Sequence, residues 1–177
     1  VIARVCGSEA GYVASGASAA LTLATAACMA GLDPAKMDEL PHPRTCPDEV
    51  VICRPHRNAY DRAFRLAGAR LVEVGVSDRS VGCGVRETEL WEIEAAISER
   101  TAAVAYVAGP NAQPPLSEVA RLAHRHGVPV VVDAAGQLPP PANLRRFIAE
   151  GADLVAFSGG KALRDPKGLD SWRAERT

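Results

Sequence analysis

Lysine is nearly missing from this 177-residue chain; it stands only at Lys36, Lys161 and Lys167. Chemistry that needs a side-chain amine therefore has few places to be. Cysteine is sparse and odd in number, at Cys6, Cys28, Cys46, Cys53 and Cys83, with no C-x-x-C pair. That pattern argues against a disulfide framework and a zinc site, and it fits reduced thiols in a cytoplasm. No metal is expected. A signal-peptide pattern is absent. So is a membrane-length apolar run. The longest weakly polar stretch, Gly16 to Leu32, is built largely of Ala, Thr, Ser and Gly and is short for a span. It reads as a buried helix, and no membrane partner is expected. The net charge of −1 gives no general electrostatic reason to bind nucleic acid. No G-x-G-x-x-G, Walker sequence or internal repeat occurs, so a nucleotide-binding reading lacks its motif.

What is present suits a soluble domain with a real core: 47% of residues are hydrophobic and 23% charged. The stretch from Gly127 to Lys161 organises it. Val128 to Val132 is a continuous apolar run rich in β-branched residues, the pattern of a strand buried on both faces. It ends on Asp133. Asn143 to Glu150 offers a helix, and Leu154 to Phe157 a second buried strand that runs into Ser158-Gly-Gly-Lys161. A strand–helix–strand of this length is a right-handed parallel unit. Asp133 and Lys161 therefore emerge at one edge of a sheet, where open α/β sheets bind ligands. Neighbouring strands would bring their backbones to roughly 5 Å.

The rest of the chain alternates in the same way. Val1 to Cys6 reads as a helix end stopped by Gly7. Ala10 to Ala14 reads as a short strand, and Ser15-Gly16-Ala17-Ser18 opens a small-residue helix to about Ala30. Asp33 to Leu40 reads as one or two helical turns, before an irregular connection marked by Pro41, Pro43 and Pro47. Strands follow at Glu49 to Cys53, Arg70 to Val74 and Ala102 to Val107. Helices are expected over Ala59 to Ala67, Thr88 to Glu99 and Leu116 to His126, with a loop over Ser77 to Arg86. Six strands alternating with helices give an α/β fold with a mostly parallel sheet. The core spans residues 1–163. Residues 164–177 form a polar tail carrying Arg164, Asp165, Lys167, Asp170, Arg173, Glu175 and Arg176. This tail offers no strand, and the chain reads as cut at both ends.

A lysine in a partly desolvated site can lose its proton and attack an aldehyde. Lys161, after two glycines and a buried strand, suits that role. Asp133 has two readings: a helix N-cap, or an anchor for a protonated ring nitrogen. Pyridoxal 5'-phosphate needs both partners, a lysine for its aldehyde and an acid opposite its pyridinium nitrogen. Its phosphate needs donors. Ser15-Gly16-Ala17-Ser18 is either a simple helix cap or an anion site made of free amides at a positive helix end. Ser158 could add a hydroxyl, and His56 could lie flat on the ring.

Asp133-Ala-Ala with Ser158-Gly-Gly-Lys161 resembles the cofactor signature of fold-type I pyridoxal-phosphate enzymes. The stretches Gly11 to Gly31, His56-Arg-Asn-Ala-Tyr-Asp61 and Val132-Asp-Ala-Ala-Gly-Gln-Leu-Pro-Pro140 resemble the selenocysteine synthase (L-seryl-tRNA(Sec) selenium transferase) family. They are most similar to its D-glucosaminate-6-phosphate ammonia-lyase-like branch. The resemblance implies that Lys161 carries the cofactor aldehyde, Asp133 pairs with the pyridine nitrogen and His56 stacks on the ring. It implies that Ser15, Gly16, Ala17 and Ser158 hold the phosphate, and that Gln137 reaches the ring hydroxyl. By charge and place, Arg54, Arg57 and Asn111 are candidates for a substrate carboxylate or phosphate. The family's C-terminal small domain has no counterpart here, and Asp165 stands where members have Gly. The expected reaction is α,β-elimination, or replacement at Cβ, on a small amino acid or amino-sugar acid, in a cytoplasmic homo-oligomer. The alternatives are a selenium transferase acting on seryl-tRNA, against which the lack of a basic patch speaks, and an inactive truncated remnant.

Overall fold

The computed structural model describes residues 1–76 and 87–161. The loop expected over Ser77 to Arg86, with Cys83, and the tail with Asp165 lie outside the described residues. Five parallel strands form one sheet: β1 (Glu49–Cys53), β2 (Arg70–Val74), β3 (Thr101–Val107), β4 (Val130–Asp133) and β5 (Leu154–Ala156). Their order across the sheet is β2-β1-β3-β4-β5. β1 and β4 are buried at every residue. A strand covered on both faces needs no polar alternation, which is why Val130-Val-Val132 is continuous.

The segment from Ala10 to Ala14, read from the sequence as a strand, is not one. It carries no ladder and lies outside the sheet, and Tyr12 within it is 81% exposed. Strand propensity becomes a strand only with a partner, and among the described residues none is offered to this segment.

The helices are α1 (Ile2–Cys6), α2 (Ala17–Ala30), α3 (Pro34–Glu39), α4 (Arg62–Leu66), α5 (Leu90–Ala96), α6 (Leu116–Arg125) and α7 (Asn143–Ala149). Local chemistry trims two of them below their expected lengths. Asn58 Oδ1 accepts from the Tyr60 amide, which holds the chain in a turn before α4. After α5, the Ser98 amide donates to Thr101 Oγ1 and the Thr101 amide returns to the Ser98 carbonyl. That closed turn replaces the last helical bonds. α3 is capped by Asp33, whose carboxylate accepts from the Ala35 and Lys36 amides.

Side chains alternate across the sheet and feed two cores. One holds Val51, Val104, Val132, Ile93, Val119 and Phe147, under α5, α6 and α7. The other holds Val50, Ile52, Val131, Leu21 and Phe64, under α2 and α4. Each fully buried Val, Leu, Ile or Phe contributes about 1.5–3 kcal/mol. At the amino edge of the sheet, buried Glu49 pairs with Arg70 and Arg100. The opposite, carboxyl edge carries the chemistry.

Candidate active site

The order β2-β1-β3 contains a switch in direction. The chain leaving β1 turns to α4 on one face, and the chain leaving β3 turns to α6 on the other. The two connections diverge and open a crevice at the carboxyl ends of β1 and β3, where such sheets take ligands. His56 sits in that crevice, in a 3-10 turn over Arg54–His56. It is 6% exposed, and its Nδ1 accepts from the Val107 amide at 3.4 Å. Its ring meets Tyr106 edge-on, with centroids 4.7 Å apart at 82°. Nε2 is buried without a hydrogen bond of normal geometry; the Gln113 carbonyl lies nearby. Burial holds the imidazole pKa down at about 4, with the Gln113 carbonyl pulling the other way.

That depression has a measurable consequence. The unfolded chain binds the His56 proton near 6.5 and the folded chain only near 4. The contribution of His56 to stability is therefore intact above the unfolded value and drains away as pH falls toward the folded one. Between about pH 7 and about pH 4.5 the chain should lose stability on the order of 2–3 kcal/mol from this group. Urea unfolding at a series of pH values should show the slope, and His56→Gln should flatten it. An unchanged slope in that variant would refute the assignment.

Two strands away, Asp133 ends β4 in register with Val107 of β3 and Ala156 of β5. It is buried at 9% exposure, and its Oδ1 accepts from the Ala135 amide at 3.0 Å. This bond closes a turn after the strand, so Asp133 is not a helix cap here. Lys161 follows β5. An ideal Cβ on Gly136 would lie 4.0 Å from Lys161 Nζ, so the lysine tip approaches the turn that Asp133 opens. Ser158 lies half-buried on the same connection.

α2 completes the edge. Cys28, near its end, feels the charge of Asp153, just before β5. The helix therefore runs against the strands, and its N-terminus points to the carboxyl edge. α2 has no side-chain cap, and its first internal bond is from the Ala20 amide to the Gly16 carbonyl. The leading amides of the helix are thus available as donors. Gly16 has φ 131 and ψ 170, a region essentially closed to other residues. A Cβ built there would meet nothing within 4 Å, so the space in front of the helix is open. Ser15 is exposed beside it. A buried carboxylate, an amine, a buried imidazole and uncapped helix amides share one edge. This donor set fits pyridoxal phosphate.

Other expected residues are placed differently. Arg57 pairs with Asp61 and Glu73, and Arg54 reaches Glu73 at 3.6 Å. Asn111 is exposed in the turn after β3. Gln137 Nε2 donates to the Ala108 carbonyl at 2.8 Å. Sequence reasoning missed Tyr106, which abuts His56, and Asn143, whose Nδ2 donates to the Gln137 carbonyl at 2.6 Å. Both roles rest on tertiary contacts that leave no local signal in the sequence. Two concavities of about 270 and about 560 Å³ lie beside the chain that leaves β3. Neither is lined by Lys161, Asp133 or His56. Among the described residues, no cluster of three or more His, Cys, Asp or Glu could hold a metal, and no helix is long and apolar enough to cross a membrane.

Solved structures share this architecture. D-glucosaminate-6-phosphate ammonia-lyase superimposes with a TM-score of 0.82 at 33% identity, over 97% of this chain and 47% of that one. A sphingosine-1-phosphate lyase of Burkholderia pseudomallei, at 14% identity and a TM-score of 0.61, shares the fold over 86% of this chain and 35% of its own. The sheet is that of the fold-type I pyridoxal-phosphate enzymes. Residues 60–170 match the aminotransferase class-V family, and the chain belongs to it. Enzymes of this family depend on pyridoxal 5'-phosphate. The 5'-C-glycyluridine monooxygenase-decarboxylase of a Streptomyces species is 39% identical, over 93% of this chain and 41% of its own. The D-glucosaminate-6-phosphate ammonia lyase of Salmonella typhimurium is 33% identical, over 94% and 44%. An L-seryl-tRNA(Sec) selenium transferase of Solidesulfovibrio magneticus is 33% identical, over 67% and 28%. The chain thus spans less than half the length of these curated relatives.

Proposed function

We propose that this chain forms the cofactor-holding core of a pyridoxal-phosphate-dependent enzyme that performs α,β-elimination, or replacement at Cβ, on a small amino acid or amino-sugar acid. The observation that carries the reading is the meeting of the Lys161 amine with the turn opened by buried Asp133, at the sheet edge that the N-terminus of α2 also faces. The names of two relatives, an ammonia lyase and a selenium transferase acting on a seryl group, support elimination or replacement, whereas the glycyluridine relative is named for oxygenation and decarboxylation and shares with them only an amino-acid unit.

When bound, the cofactor supplies an electrophilic aldehyde and an electron-accepting ring. Lys161 Nζ would bond to the aldehyde and, once freed by the substrate amine, would take the α-proton as general base. Asp133 would hold the proton on the ring nitrogen, which keeps the ring cationic. The leading amides of α2, with Ser15, Gly16, Ala17 and the Ser158 hydroxyl, would cradle the phosphate. His56, neutral and buried, would form the wall against the ring. For a substrate anion, Arg54 is the freer arginine, because Arg57 is already shared between two carboxylates. Asn111 would lie on the substrate side.

Around this core the reading places a cofactor-binding unit over residues 1–163 and a homo-oligomer in the cytoplasm. The odd cysteine count without a C-x-x-C pair supports a reducing compartment. Pyridoxal phosphate added to the purified protein should give a new absorption band that survives gel filtration. A cofactor spectrum identical to that of the free aldehyde would overturn the proposal.

A further inference from the structure

The turn after Asp133 is held from outside. The Gln137 amide closes it on the Ala134 carbonyl at 3.0 Å. Ala108, just past β3, grips it twice: its amide donates to the Asp133 carbonyl at 2.9 Å, and its carbonyl accepts from Gln137 Nε2 at 2.8 Å. Gln137 is gripped in turn, because Asn143 Nδ2 donates to its carbonyl at 2.6 Å. Asn143 is the first residue of α7 and only 8% exposed. A buried side-chain amide that donates such a bond is costly to leave without it. The Pro139-Pro-Pro141 run between Gln137 and Asn143 stiffens the span they close.

Within this turn lie the two groups that matter. The Ala135 amide orients the Asp133 carboxylate, and Gly136 is the point that Lys161 Nζ approaches. We infer that Gln137 and Asn143 act as positioning residues: a side-chain clamp between the exits of β3 and β4 that fixes the Asp133 carboxylate relative to the Lys161 amine. Gln137 thus serves the site through the backbone it holds, its amide being engaged with Ala108. This inference rests on the reading of Asp133 and Lys161 given above.

The clamp and that reading fail in different ways. The protein is expressed with any sequence that flanks this chain retained, and titrated with pyridoxal phosphate. The wild type tests the reading: no bound chromophore sinks it. Given a chromophore, Gln137→Met keeps the volume and removes the amide, and Asn143→Asp keeps the shape and removes the donor. Both should weaken cofactor binding about tenfold and move the pH at which the bound chromophore changes colour. Asp133→Asn should move it in the same direction. Gln137→Glu, which cannot donate to the Ala108 carbonyl when ionised, should behave like Gln137→Met. If one of these variants fails to fold, the others decide. Lower melting temperatures with an unmoved colour transition and unchanged cofactor affinity would show that the clamp is merely structural and overturn the inference.

Discussion

Lys161→Arg should reduce turnover, in the protein with any flanking sequence retained, by about 10²–10⁴-fold, the range associated with losing a positioned general base. Arginine keeps the positive charge and much of the reach, so packing and local electrostatics are little altered. What it removes is a nitrogen that can shed its proton and bond to an aldehyde, because a guanidinium stays protonated. Lys161 is exposed at the end of the described chain. The substitution should therefore change stability by no more than the roughly 0.5 kcal/mol typical of surface changes. Lys36 stands in α3, far along the chain, and makes no claim on this edge. Turnover within tenfold of wild type for Lys161→Arg would contradict the role, and steady-state kinetics beside a thermal melt would decide it.

Asp133→Asn should be nearly as damaging and for a different reason. An amide oxygen can still accept from the Ala135 amide, so the turn that Asp133 Oδ1 now closes at 3.0 Å should survive. The negative charge does not survive. A charge-assisted hydrogen bond to a cationic ring nitrogen contributes about 1.5–3 kcal/mol, so turnover should fall by about 100-fold. Cofactor should still attach through Lys161. The pairing of retained attachment with lost turnover separates a residue that tunes the ring from one that only supports the fold. A variant that loses attachment and unfolds, or one that turns over normally, would remove Asp133 from the mechanism.

Much of this edge is legible in the sequence because parallel strands buried on both faces write themselves as unbroken β-branched runs. β1 and β2 have the bounds read from the sequence, Glu49 to Cys53 and Arg70 to Val74. Asp133 and Lys161 fall on one edge because the strand–helix–strand unit between them leaves no other parallel arrangement. What the sequence hides is pairing at a distance. Ala10 to Ala14 has strand composition but no partner among the described residues. Arg57 looks free until the fold brings Glu73 from β2 beside it. His56 looks like a surface loop residue until Tyr106, on another strand, closes against its ring. Gln137 and Asn143 are ordinary polar residues near three prolines until Ala108 arrives from β3. Tertiary contacts of this kind carry no local period, so no reading of windows along the chain exposes them.

In the proposed chemistry one of three lysines carries the cofactor aldehyde. Borohydride reduction of the protein in the presence of pyridoxal phosphate, followed by proteolysis and mass mapping, tests it most directly. The label should appear on the peptide containing Ser158-Gly-Gly-Lys161 and nowhere else in stoichiometric amount. Stoichiometric label on Lys36 or Lys167, or none at saturating cofactor, would contradict the account.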